Sequence, residues 1–180
     1  MSAPTEFEPL LKDLVTAKRL SASKVQKLTE LALASMQHDT QLVSILYRTH
    51  KTLPAVNKVN SLYAFDALAR AARSQVNKKN ITGDLNSPVG NCATFLLKVE
   101  GVLDGLMQDL VGTHTPEVLE KAKKVLDIWT KSATFPPPVL ARLSDITKEK
   151  KGAYRSLADL SAKYFRCAIQ WPSTTSNCTQ

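Results

Sequence analysis

The sequence predicts an all-α fold, and three observations carry that prediction. Leu and Ala dominate a chain that is 43% hydrophobic, and apolar residues recur at three- and four-residue spacing. β-Branched residues never alternate over the length of a strand, and aromatics make up only 6%. Helix start signals recur from end to end. At 180 residues, the chain is long enough to bury one real core.

The elements follow in order. Thr5 with Glu8 reads as a capping box, and Phe7, Leu10, Leu11, Leu14 and Val15 then supply an apolar face. The break is Lys18 to Ser23, after which Ser23 with Gln26 caps a second helix. Asp39 caps a third, which Pro54 interrupts. A fourth covers roughly Ala55 to Ser74. Gln75 to Gly90, rich in Asn, Gly and Lys, reads as the longest loop. The run from about Asn91 to Val111 is either one weakened helix or two, because Gly101 and Gly105 lie inside it. Thr115-Pro116 starts the helix that reaches Trp129 and Lys131. A helix from Val139 to about Lys150 and a last one through Ala153–Phe165 complete the set, and the end is expected to fray. These residues fit an irregular right-handed α-solenoid or a globular bundle equally well.

Composition narrows the function. No signal peptide or membrane span is expected. Cys92, Cys167 and Cys178 fit no zinc or redox spacing and read as reduced thiols of the cytosol or nucleus. His38, His50 and His114 have no partner at metal-ligand spacing, and no phosphate-binding glycine loop or nucleophile elbow occurs. No catalytic residue, metal or cofactor is therefore expected. The formal net charge of +8 suits an anionic partner.

The fourth helix holds the most informative stretch. Leu62, Phe65, Leu68, Ala69 and Ala72 form an apolar stripe, and Tyr63, Asp66, Arg70, Arg73 and Asn77 a polar one. Asp66 is thus expected outside the core, paired with Arg70 one turn on. On that reading Asp66→Asn shifts stability by no more than about 0.5 kcal/mol. Trp129, by its bulk, is expected inside.

The segment NSLYAFDALARAAR, Asn60 to Arg73, resembles the fourth helix of the CTD-interacting domain, which binds the repeated C-terminal tail of RNA polymerase II. The family's Tyr, Asp and basic residue fall here on Tyr63, Asp66 and Arg70, and Ala67 stands where the family often has Ser. RLSASKVQKLTELA, LVSILYRTHKTLP and KKVLDIWTKSATFPPPVL match the family's second helix, third helix and late Trp-containing helix in the same order. The resemblance spans roughly residues 5 to 150. It is strongest to fungal termination factors that also carry an RNA-recognition domain.

The resemblance implies a right-handed superhelix of about eight helices, related to the VHS/ENTH and armadillo-like arrangements, over residues 1–152. Residues 153–180 are then an extension and tail. The tail heptad, Y-S-P-T-S-P-S, would lie as a β-turn in a groove of the second, fourth and seventh helices. Tyr63, Asp66, Arg70, Val125 and Ile128 would contact the peptide, and Ser21, Ser23, Lys24 and Lys124 its phosphate. Such a protein is expected to be nuclear and monomeric, to act in termination and RNA 3′-end processing, and to leave RNA to other domains. Two alternatives remain: a VHS/ENTH-type adaptor on acidic membranes or sorting peptides, and a general RNA-binding basic domain. Tyr63 and Asp66 have no role in the first, and the scarcity of exposed aromatics disfavours base reading in the second.

Overall fold

In the computed structural model, described over residues 3–148, seven α-helices wind around one core. They are α1 (Ala3–Thr16), α2 (Ala22–Ala34), α3 (Asp39–Thr52), α4 (Lys58–Lys79), α5 (Cys92–Gly112), α6 (Pro116–Lys131) and α7 (137–148). Short 3-10 turns at Met36–His38 and Ala55–Asn57 lead into α3 and α4. The expected last helix and the extension lie outside the described residues.

Helix α4 is the hub. It packs against α1, α2, α3, α5 and α6, so little of its surface is left to solvent. Leu62, Phe65, Leu68, Ala69 and Ala72 are all buried, as their spacing predicts. Ser61, Ala64 and Asp66 are buried as well. The amphipathic pattern underestimated this, because a central helix has neighbours on more than one side.

Several boundaries differ from expectation, each for a local reason. Helix α1 starts at Ala3, which puts Thr5 and Glu8 inside it. The N-cap of α2 is Ser21, not Ser23. Residue Asp39 opens α3 rather than capping it, and His38 stands at the cap. Helix α4 continues five residues past Ser74 and ends where Asn80 turns left-handed, at φ 50°, and returns its amide to Val76 O. That shortens the long loop. The glycines do not split α5. Gly101 faces open space, and Gly105 leaves room for the Tyr47 hydroxyl, which any Cβ there would meet. Asn91 starts α5 with a reciprocal capping box, accepting from the amides of Ala93 (2.8 Å) and Thr94 (3.0 Å) while Thr94 Oγ1 accepts from the Asn91 amide.

A buried carboxylate ties the start of α3 to α5. Asp39 accepts from Lys98 Nζ at 2.7 Å, from the Thr40 amide at 2.6 Å and from Thr94 Oγ1 at 2.5 Å. Burial pushes its pKa up, but these donors outweigh that and hold it below the ordinary value. Gly90 packs on this cluster. A Cβ there would collide with the Asp39 carboxylate and would sit 2.6 Å from Met36 O.

Candidate functional site

The candidate site is built where α4 runs between α2 and α6, both of which pack against it. Asn60 sets the entrance. Its amide donates to the carbonyls of Val15 (3.1 Å) and Ala17 (3.0 Å), which ties the end of α1 to α4 and fixes the turn into α2.

Asp66 is the centre of this surface, and it is not on a solvated face. It is 6% exposed. Its Oδ1 accepts from Arg70 Nε at 2.8 Å and from the Trp129 indole N–H at 2.9 Å, and its Oδ2 accepts from Arg70 Nη2 at 2.6 Å. Burying a carboxylate is tolerable only with such partners. The bond to Asp66 raises the pKa of Arg70 further. Trp129 is fully buried, edge-on to Phe135 of the turn after α6 at 4.9 Å between ring centres, and its indole N–H joins α6 to α4 through Asp66. With those bonds made, the carboxylate keeps one open acceptor position on Oδ2.

The remaining predicted residues divide. Tyr63 lines a cleft of about 470 Å³ with Lys18, Asn57, Asn60, Thr115 and Lys121 among its walls. Burial raises its phenol pKa, with the Asp66 charge adding to the shift. Ile128 is 40% exposed and Lys124 is exposed beside it. Val125 is turned into the core at 1% exposure, so it supports this surface from beneath rather than lining it. Arg73 of the polar stripe donates to Thr134 O at 2.9 Å and holds the turn after α6.

At the start of α2, Ser21 Oγ and Ser23 Oγ share a hydrogen bond of 2.8 Å, and Ser21 makes no side-chain cap bond. The first amides of α2 are therefore left without a side-chain acceptor, at the positive end of the helix dipole. Lys24 reaches back to Asp13 of α1 at 2.6 Å. That pair was not foreseen, nor were Lys18 and Lys121 as cleft residues. The indole of Trp129 was placed inside but not recognised as a partner of Asp66.

No group of His, Cys, Asp or Glu among the described residues could hold a metal ion. No helix there is long and apolar enough to cross a membrane.

The central helix of the superhelix thus presents a phenol and a buried, arginine-clamped carboxylate, and the phenol shares its cleft with Lys18 and Lys121. Comparison with known proteins makes this specific. The CID domain family model matches residues 5–143. The Rpb7-binding protein seb1 of Schizosaccharomyces pombe is 32% identical over 154 residues, which is 83% of this chain. The chain spans about a quarter of the length of that relative, 24%. The solved CTD-interacting domain of Seb1 from S. pombe is similar with a TM-score of 0.72 at 30% identity, over 81% of this chain and 95% of that one. The RNA polymerase II CTD-interacting domain of Nrd1 is similar with a TM-score of 0.66 at 25% identity, over 79% of this chain and 92% of that one. Yeast Nrd1 CID has also been solved in complex with Sen1 NIM3, and that chain gives a TM-score of 0.71, 25% identity and coverage of 78% here and 96% there.

The chain belongs to the CID family, a family of non-catalytic binding domains. It is a CTD-interacting domain like those of Seb1 and Nrd1.

Proposed function

We propose that this domain binds the phosphorylated C-terminal heptads of RNA polymerase II as a β-turn peptide, and that it couples transcription to termination and RNA 3′-end processing in the nucleus. We take the domain as residues 1–152, acting as a monomer, with 153–180 as an extension. The observation that carries this reading is the distribution of unpaired charge. Among the described residues Lys12, Lys24, Arg48, Lys51, Lys58, Arg70, Lys98, Lys123 and Arg142 are paired with carboxylates. Lys18, Arg19 and Lys27, near the start of α2, have no such partner, and neither do Lys121, Lys124 and Lys131 on one stripe of α6. Lys18 and Lys121 line one cleft with Tyr63. Unpaired cations around an aromatic and a carboxylate suit a peptide that carries both hydroxyls and phosphate.

In this account Tyr63 packs on the peptide's apolar groups. Asp66 offers its open acceptor on Oδ2 to a turn hydroxyl or amide, while its other bonds hold Arg70 and Trp129 in place. Ile128 supplies the apolar contact on α6. Ser21, Ser23 and the free amides of α2 donate to a phosphate, with Lys24 and Lys124 as point charges. Prolines in the heptad lower the entropy lost on forming the turn.

Titration with singly phosphorylated and unmodified heptad peptides tests this. Lys24→Glu removes a cation and sets a new carboxylate against Asp13, so phosphopeptide binding should weaken about tenfold. The unmodified peptide should lose far less. Equal losses for both peptides would remove the phosphate from the start of α2.

A further inference from the structure

Two hydroxyl–proline steps occur in the sequence, Ser87-Pro88 and Thr115-Pro116. Their surroundings differ. Ser87 is half-buried; its Oγ donates to Val89 O at 2.9 Å and its amide to Asp84 O at 3.0 Å. Thr115 is exposed, with extended backbone at φ −102° and ψ 117°. It stands at the N-cap of α6 without making a cap bond, and its hydroxyl reaches only the Thr113 carbonyl, at a long 3.3 Å. Thr115 also lines the cleft that holds Lys18, Tyr63, Glu117 and Lys121.

We propose that Thr115 is a phosphate acceptor for a kinase acting on hydroxyl–proline steps, and that its phosphate closes the Lys18–Lys121 end of the groove to an anionic peptide. The regulatory half rests on the tail-binding reading above. In the transfer, Thr115 Oγ1 attacks the γ-phosphorus of a nucleoside triphosphate held by the kinase. The new O–P bond forms as the bond to the departing nucleoside diphosphate breaks, and the hydroxyl proton passes to the kinase's base. The product carries a charge of about −1.5 to −2 at neutral pH. Lys18 and Lys121 against Glu117 leave the cleft net positive, and the phosphate makes it net negative. A dianion at the start of α6 is well placed against the helix dipole, so the fold tolerates it. The kinase class follows from the ligand. The heptad's own phosphorylatable Ser-Pro steps share this chemistry, so an enzyme that marks the tail meets the same step on its reader.

The test treats the full 180-residue chain with a proline-directed kinase and ATP, locates phosphate by mass spectrometry, and titrates both forms with heptad peptides. The expected result is one phosphate on Thr115, lost in Thr115→Ala and kept in Ser87→Ala. Phosphopeptide binding should weaken by roughly three- to tenfold, with less effect at high salt and an unchanged melting temperature. Absence of phosphate from Thr115, its appearance on Ser87 instead, or unchanged affinity of the Thr115-modified protein would overturn the proposal. If the unmodified chain binds no heptad peptide, the tail-binding reading fails and takes the regulatory half with it. The phosphate's position then still decides whether Thr115 is an acceptor.

Discussion

Asp66→Ala should destabilise the domain by about 2–3 kcal/mol, because it strands the fully buried indole N–H of Trp129 without its acceptor. Arg70 adds less to that cost. Its side chain is 45% exposed and can turn to solvent. Asp66→Asn should be milder, at about 1–2 kcal/mol, since the amide oxygen can still accept from Trp129 while the NH2 group faces the guanidinium. Both values replace the sequence-based expectation of a nearly neutral change. Binding provides the second readout. With the fold retained, Asp66→Asn should weaken phosphopeptide binding by about five- to thirtyfold, because Arg70 loses its anchor and the peptide loses a charged acceptor. The direction is informative. Removing a negative charge should tighten a purely electrostatic site for an anion. Urea unfolding and peptide titration of the same variants separate the two effects. A variant as stable as the native chain would show that the Trp129 bond contributes nothing, and tighter binding would return Asp66 to a bystander.

Acidification should destabilise the domain well before most carboxylates titrate, through His50. This side chain is fully buried, and neither ring nitrogen has a hydrogen-bond partner. Burial, with Lys58 nearby, lowers its pKa from 6.5 to about 4. Asp109 stands 3.9 Å away but is already held by Lys51 and Lys58, so it cannot compensate fully. The folded-state pKa lies below the unfolded one, so the unfolded chain takes up the proton first. Stability is therefore complete above about pH 6.5 and falls as the pH drops toward 4. The loss should reach about 3 kcal/mol at most over that window. Asp39 and Asp109, both held below their ordinary values, extend the loss to lower pH. Denaturant titrations from pH 7.5 to 4 check this, with His50→Phe as control. The variant should have a flatter profile, and an unchanged slope would assign the acid sensitivity elsewhere.

What was legible in the sequence was what repeats locally. The apolar stripe of the fourth helix and the Thr115-Pro116 start are set by spacing and by backbone chemistry within one turn. Bonds between distant residues were not legible. Asp66 and Trp129 are 63 residues apart, and nothing in either neighbourhood says that an indole will cover the carboxylate. A helical pattern separates apolar from polar positions, but it cannot tell a polar position facing water from one facing another helix. The choice between Ser21 and Ser23 as cap failed for a related reason. Both serines suit the role, and local sequence does not separate them. Val125 shows the same limit on α6. One residue from exposed Lys124, it faces inward. The arginine clamp, by contrast, was readable as an i,i+4 pair, and only its burial was missed.

A groove that reads a heptad, and not merely negative charge, must discriminate by peptide sequence. The direct measurement compares a phosphorylated heptad-repeat peptide with a shuffled peptide of identical composition and phosphate count, titrated into isotopically labelled protein at near-physiological salt. The heptad peptide should bind at least about tenfold more tightly, with shifted resonances centred on Tyr63, Arg70 and Ile128 and only a modest dependence on salt. Equal affinities, or shifts spread over the exposed lysines with a steep salt dependence, would contradict heptad reading and make the domain a general binder of polyanions.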